Sequence, residues 1–298
     1  MSLTDYLQRH YQPSTARLYR FEIEHYLKRI GGPQQALETT YAELMEQLAN
    51  LRERYDNPGT LHRILQAIKC YYRYLLESGQ RADHPAANLL LRDAKKEAVQ
   101  LQDLLTKIEL EALLLPRKER YAGLARRNRL IMSLLVYQAL ALQELAGLKT
   151  VDVDLERATI YVAGTTKLRA RKLRLKADQI LLLHDYLAQD RPRLLKMETD
   201  ALLITSRGTA ELGEGIHYLV TTYRRQLPGK RLTPTSIRQS VLHQRLQAGE
   251  DLRKTQAFAG HQKPSSTEQY RHSRLEALRR AVEQYHPLQQ EAGNLNHH

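Results

Sequence analysis

From Gly260 to His272 the chain reads GHQKPSSTEQYRH. A histidine follows a glycine, a Pro-Ser-Ser turn intervenes, and a tyrosine closes the stretch among basic neighbours. Residues of these types can carry a nucleophilic displacement. A tyrosine hydroxyl has an ordinary pKa of about 10, so it attacks only if its proton leaves as the new bond forms. Cations close to Tyr270 would ease that loss, and His261 and Arg238 are the candidates. The chain contains 17 tyrosines, so packing near a helix end is the alternative for Tyr270. A helix-terminal cap or a buried hydrogen-bonder is the alternative for His261.

Arg238 follows Pro234 and Ile237 and precedes Val241 and Leu242, which sets it at the inner edge of a helix. A cation there needs a partner, either a carboxylate or a phosphate, and its planar fork suits a phosphate well. A plain surface charge is the other reading. Upstream, Lys167 to Lys176 holds six basic residues in ten and no acid. In the strand-like RKLRLK, Lys172, Arg174 and Lys176 share one face, while Leu173 and Leu175 share the other. Such a strand either contacts a DNA backbone or is an edge kept soluble by charge.

The elements that must position these groups are mostly helical. TARLYRFEIEHYLKRI sets Leu18, Phe21, Ile23, Tyr26, Leu27 and Ile30 at helical spacing behind the cap-like Ser14-Thr15, and Gly31-Gly32-Pro33 ends it. TTYAELMEQLANLRERY and TLHRILQAIKCYYRYLLESG predict two more helices, the last stopping at Gly79. QRADHPAANLL and the charged RDAKKEAVQ make a connection. Beyond it the pattern is mixed: TKIELEALLL, ARRNRLIMSLLVYQALA, DQILLLHDYLAQ and EGIHYLVTTYRRQL read as helices, and TIYVAG with RKLRLK as paired strands. Residues 232–285 read as helical with turns at Gly249 and near Gly260. The expected fold is mainly α: a helical bundle over 1–92, a linker over 93–101, a mixed α+β domain with a small antiparallel sheet over 102–286, and a tail over 287–298.

Composition narrows the function classes. The single cysteine, Cys70, allows neither an internal disulfide framework nor a cysteine zinc cluster, and its apolar surroundings predict a buried thiol. The first residues, MSLTDYLQRHYQ, lack the apolar segment of a signal peptide, and no stretch is apolar enough for a membrane span. A cytoplasmic protein is expected. The formal charge is +13 and unevenly placed. Residues 1–100 carry 14 Lys and Arg against 12 Asp and Glu, whereas the remainder carries 32 against 21. An excess of that size faces a polyanion, because neutralised phosphates release counterions. Nucleic acid is the expected partner.

The order of segments resembles the tyrosine recombinases, the phage integrase family, over roughly residues 2–286. TARLY and ILQAIKCYYRYL are similar to the family's helical core-binding, SAM-like domain. ELAGLKTVDVDLERATIYVAG and LTPTSIRQSVLHQRLQAGEDLRKTQAFAGHQKPSSTEQYRHS are similar to its catalytic domain. The resemblance implies that a tyrosine attacks a DNA phosphodiester, leaving a 3′-phosphotyrosine and a free 5′-hydroxyl. It implies no metal or other cofactor, so donors on the protein must absorb the developing charge. It assigns Tyr270 as nucleophile, Arg238 and His261 as phosphate ligands, and, more loosely, Lys167 as the acid for the leaving oxygen, since the family's lysine often follows the glycine directly where this chain has Thr165. It further implies assembly into a DNA-bound tetramer through a C-terminal helix, for which Leu275, Leu278, Val282 and Tyr285 supply an apolar face. That face packing on its own domain is the equal alternative.

Two positions depart from the family pattern. Ala141 stands where the first arginine is expected, with Glu144 retained after it, and Thr235 stands where a histidine is expected. Arg169 or Arg171 on the hairpin is a candidate replacement for that arginine, with Arg126, Arg127 and Arg129 as alternatives. Further DNA contacts are expected from Arg169, Arg171, Lys172, Arg174 and Lys176, and in the first domain from Arg17, Arg63 and Lys69. Thr15, Arg20 and His62 are candidates there too, and helix-face solvation explains this whole first-domain set nearly as well. Two functions remain open. One is a DNA strand transferase acting in site-specific recombination. The other is a catalytically impaired relative that serves as a DNA-binding accessory or partner subunit. A type IB topoisomerase shares the chemistry but not the resemblance of the first domain.

Overall fold

The computed structural model describes residues 2–91 and 104–270. The linker expected over 93–101, the apolar face from Leu275 to Tyr285 and the tail lie outside these residues. The chain divides into two compact units, Met1–Glu97 and Ala98–His298.

In the first unit, α1 (Leu3–His10), α2 (Pro13–Ile30), α3 (Pro33–Glu38), α4 (Tyr41–Arg54) and α5 (Pro58–Glu77) enclose one core. Local chemistry sets their ends. Thr40 accepts from the backbone N–H of Glu43, whose carboxylate returns to Thr40, a reciprocal cap on α4. Gly31 ends α2 in the left-handed region at φ +96°, a conformation a side chain resists. The short helices α1 and α3 carry too little periodic pattern to be read from sequence alone. The inward stripe of α2 differs from the expected one: Ala16, Ile23 and Tyr26 are buried, while Leu18 and Phe21 face solvent. Leu18 and Phe21 fall on the far side of a 3.6-residue turn from Ile23. Tyr26 and Tyr72 meet in the core, their hydroxyls 2.5 Å apart. Cys70 is a buried free thiol, as expected.

The second unit begins with α6 (Lys107–Ala112) and is built around α7 (Ala125–Gln138), which contributes Leu130, Ile131, Leu134 and Leu135, all fully buried. The helix α8 (Leu142–Ala146) leads to a three-stranded antiparallel sheet, β1 (Val153–Asp154), β2 (Thr159–Val162) and β3 (Arg171–Arg174), in the order β1-β2-β3. Ile160 pairs with Leu173 across β2 and β3, and both side chains enter the core. Then come α9 (Ala177–Asp185), α10 (Arg191–Leu194), α11 (Gly213–Thr222), α12 (Pro234–Gln247) and α13 (Leu252–Ala259). Residues 265–270 are helical again.

A buried amide pair fixes the hairpin relative to α7. The side chains of Gln138 and Gln179 exchange hydrogen bonds at 2.9 and 2.8 Å, and Gln138 also donates to the Arg174 carbonyl at 2.8 Å. Buried amides are stable only when satisfied in this way. Among the described residues, no helix is long and apolar enough to cross a membrane.

The stripe on α2 makes a direct prediction. Ile23→Ala should cost about 2–5 kcal/mol in chemical denaturation. Phe21→Ala, more than half exposed, should stay within about 0.5 kcal/mol of the parent.

Candidate active site

The site is assembled around the guanidinium of Arg238. Thr233 caps α12, Pro234 occupies its first turn, and the turn that follows points Arg238 into the unit, where it is 7% exposed. Its Nη2 donates to the Ala259 carbonyl at 2.6 Å and to Nε2 of His261 at 3.1 Å. Its Nη1 donates to the Ala139 carbonyl and lies 3.6 Å from a carboxylate oxygen of Glu144. Ala139 closes α7 at φ +50°. That left-handed backbone is rare for a residue with a side chain, and here it presents the Ala139 carbonyl to Arg238.

His261 is held from three sides. Gly260 ends α13 at φ +72°, and the His261 N–H returns to the Gln256 carbonyl at 3.1 Å, a standard way of closing a helix. The hairpin reaches the same loop: the Arg169 N–H donates to the Gly260 carbonyl at 2.7 Å, and Leu168 forms a β-bridge with His261. Nδ1 of His261 lies 2.8 Å from the Thr267 hydroxyl. Because Arg238 can only donate, Nε2 accepts, so the proton sits on Nδ1 and is donated to Thr267. Burial, and then the charges of Arg238 and Arg171, pull His261 from its ordinary value down to about 4. The ring is therefore neutral at physiological pH.

Tyr270 stacks on His261 with ring centroids 6.4 Å apart and planes 18° apart. It is 5% exposed and packs at the margin of the hydrophobic core. Burial raises its pKa, while the charge of Arg238 and a hydrogen bond from Gln269 work the other way. Nδ1–H of His243 donates to its carbonyl at 3.4 Å, tying this helical turn to α12.

Arg171 enters the same cluster from β3. It pairs with both oxygens of Glu144, at 2.5 and 3.1 Å, and its Nε donates to the Phe258 carbonyl at 2.6 Å. Lys172, Arg174 and Lys176 are exposed, as their alternation predicts, and Arg169 and Lys167 are exposed on the adjoining loop. Arg171, grouped with those DNA contacts on sequence, is turned inward because it has the same parity as Leu173 and Leu175. The other suggested replacements lie elsewhere: Arg126 pairs with Asp190, Arg127 with buried Glu211, and Arg129 is exposed. Ala141 caps α8 and donates its N–H to Glu144 at 2.8 Å, and Thr235 is exposed on α12.

In the first unit Arg17 is exposed, Arg63 pairs with buried Glu22 at 3.0 Å, and Lys69 donates to the Ala87 carbonyl at 2.9 Å. The charges of Arg63 and Lys69 thus have partners on the protein. Sequence reasoning did not single out Thr267. Its only signal is its place one helical turn before Tyr270.

A profile of the phage integrase family matches residues 103–276, more than half of the chain. The chain is 29% identical over 256 residues to a tyrosine recombinase XerC of Natranaerobius thermophilus, covering 84% of each protein. It is 27% identical over 276 residues to a tyrosine recombinase XerD of Ralstonia nicotianae, covering 92% of this chain and 88% of that one. Among solved structures, a XerH site-specific recombinase bound to a palindromic difH substrate superposes with a TM-score of 0.69 at 22% identity, over 90% of this chain and 78% of that chain. A lambda integrase dimer bound to a COC′ core site gives a TM-score of 0.66 at 16% identity, over 90% and 75% of the two chains. At those identities the structures speak for the fold.

Two outcomes test the geometry. A Cβ on Gly260 would sit 2.9 Å from the Arg169 carbonyl and 2.5 Å from Arg171 Nη1. Gly260→Ala should therefore lose about 1–2 kcal/mol from its backbone conformation alone, and more from the displaced hairpin, read as a lowered Tm. In a histidine NMR titration of the free protein, His261 should titrate at about pH 4. Its folded pKa lies below the unfolded value, so its contribution to stability is complete above about pH 6.5 and declines as the pH falls through that window.

Proposed function

The chain belongs to the phage integrase family, and from that premise we propose that it is a DNA strand transferase of site-specific recombination. Duplex DNA lies against the basic hairpin face of Lys172, Arg174 and Lys176, and the scissile phosphate enters beside Arg238. Tyr270 Oη attacks phosphorus and gives up its proton to water, the bond to the 5′ oxygen breaks, and a 3′-phosphotyrosine forms. Lys167 protonates the leaving oxygen. The Arg238 guanidinium takes one non-bridging oxygen in a charge-assisted contact, the kind of donor whose loss costs 10²–10³ in rate.

The reading rests on one geometric fact: Arg238 bonds the ring of His261, which stacks against the ring of Tyr270. Arg238 occupies Nε2 of His261, so donation from that nitrogen to a phosphate requires the neutral ring to move its proton from Nδ1 to Nε2, with the Thr267 hydroxyl then donating to Nδ1. An arriving negative charge favours it. Tyr270 is likewise packed away here and has to turn out toward the duplex. We further propose that copies assemble on DNA as a tetramer through the residues that follow Tyr270. The dimeric state of the lambda integrase complex on its core site supports assembly of that kind.

Ala141 and Thr235 favour a second reading, a partner subunit that binds DNA and does not cut it. One assay separates the two. Target duplexes are first selected from a random library by binding, then nicked near the site so that a cleaved strand is trapped. The transferase predicts a covalent protein–DNA adduct on a denaturing gel, lost in Tyr270→Phe and slowed 10²–10³-fold in Arg238→Ala. Tight binding with no adduct means the partner subunit.

A further inference from the structure

The buried cluster holds two guanidinium groups against one carboxylate. The Glu144 side chain has no exposure to solvent, and both its oxygens are given to Arg171. The backbone N–H of Ala141 adds a third donor at 2.8 Å. Arg238 stops 3.6 Å short of the same carboxylate, beyond hydrogen-bonding range, and spends its fork on two carbonyls and His261. A carboxylate away from water pairs with whichever guanidinium reaches it edge to edge. Here Arg171 wins that competition.

Arg171 is itself immobilised. Its Nε is bonded to the Phe258 carbonyl, and the space beside Nη1 is so close to Gly260 that no side chain fits there. All three of its nitrogens thus have protein acceptors, and none is aimed at solvent. Its effect must pass through Glu144. Since His261 is neutral, the cluster carries one uncompensated positive charge, a costly state away from water unless an anion completes it. A phosphodiester carries a single negative charge, which matches.

On the reading of the site proposed above, we infer that Arg171 is a positioning residue that occupies Glu144 and so keeps the Arg238 guanidinium uncaptured for the phosphate. Without Arg171, Glu144 closes the 3.6 Å gap and neutralises Arg238. Removing the carboxylate's charge as well releases Arg238 again. A residue that touches the phosphate directly, or one that merely holds the hairpin, gives no such recovery.

The test is single-turnover adduct formation on the nicked duplex with Arg171→Ala, with Glu144→Gln added to it, and with the parent chain. Duplex affinity and Tm are read alongside. Arg171→Ala should slow the adduct about 100-fold with little change in duplex affinity, and the double variant should recover at least about tenfold of that loss. A parent-like rate in Arg171→Ala, or a folded double variant no faster than the single one, overturns the inference and leaves the transferase standing. A parent chain that forms no adduct removes the transferase reading, and this inference goes with it. Arg171→Lys keeps the charge but cannot hold both oxygens, so it replaces the alanine variant if that does not fold. Glu144→Gln must then speed the lysine variant by the same logic.

Discussion

A guanidinium buried against its own domain has to be satisfied, and the geometry around Arg238 follows from that requirement. Its acceptors come from three places: the end of α7 at Ala139, the end of α13 at Ala259 and the ring of His261, with the Glu144 carboxylate of α8 standing off at 3.6 Å. Losing any of these leaves a charge without its partners, which costs far more than the contact itself contributes. Segments more than a hundred residues apart are thereby tied to one point. The left-handed backbone at Ala139 and the glycine at 260 are the local conditions for that convergence.

The same requirement explains why the cluster is poised. Helix ends supply carbonyl oxygens, which neutralise only part of a cation's charge. The one full negative charge nearby, Glu144, is already matched by Arg171. His261, pushed down to about 4 by burial and by these two cations, adds no charge. The arrangement has strong donors, fixed positions and an unmet positive charge beside a tyrosine. Preorganised donors of this kind stabilise charge that develops during a displacement without having to rearrange.

Much of this was legible in the sequence. Tyr270, His261 and Arg238 are picked out by their resemblance to the family's box of an arginine, a Gly-His and a tyrosine, and the alternation of RKLRLK predicts which basic residues of the hairpin face solvent. The same alternation turns its first residue, Arg171, inward with Leu173; Arg169 has the same parity but precedes β3 and stays exposed, which the alternation alone does not tell. That Glu144 is the partner of Arg171 is a property of the folded hairpin lying over α13, with no local signature. The stripe of α2 held at Ile23 and Tyr26 and failed at Leu18 and Phe21, for a different reason. Leu18 and Phe21 are apolar and near the right spacing, yet the core is built from Ala16, Ile23 and Tyr26, and a small alanine carries little weight in a hydrophobic pattern. Thr267 escaped because a threonine that fixes a histidine tautomer looks the same in sequence as any other.

The most direct measurement is a structure of the protein trapped on a nicked target duplex, with the position of the phosphate attached to Tyr270. The account predicts non-bridging oxygens at about 3 Å from the Arg238 guanidinium, with Glu144 still bound to Arg171. A phosphate held only by the exposed hairpin lysines, with Arg238 left on the Ala139 and Ala259 carbonyls, would contradict it.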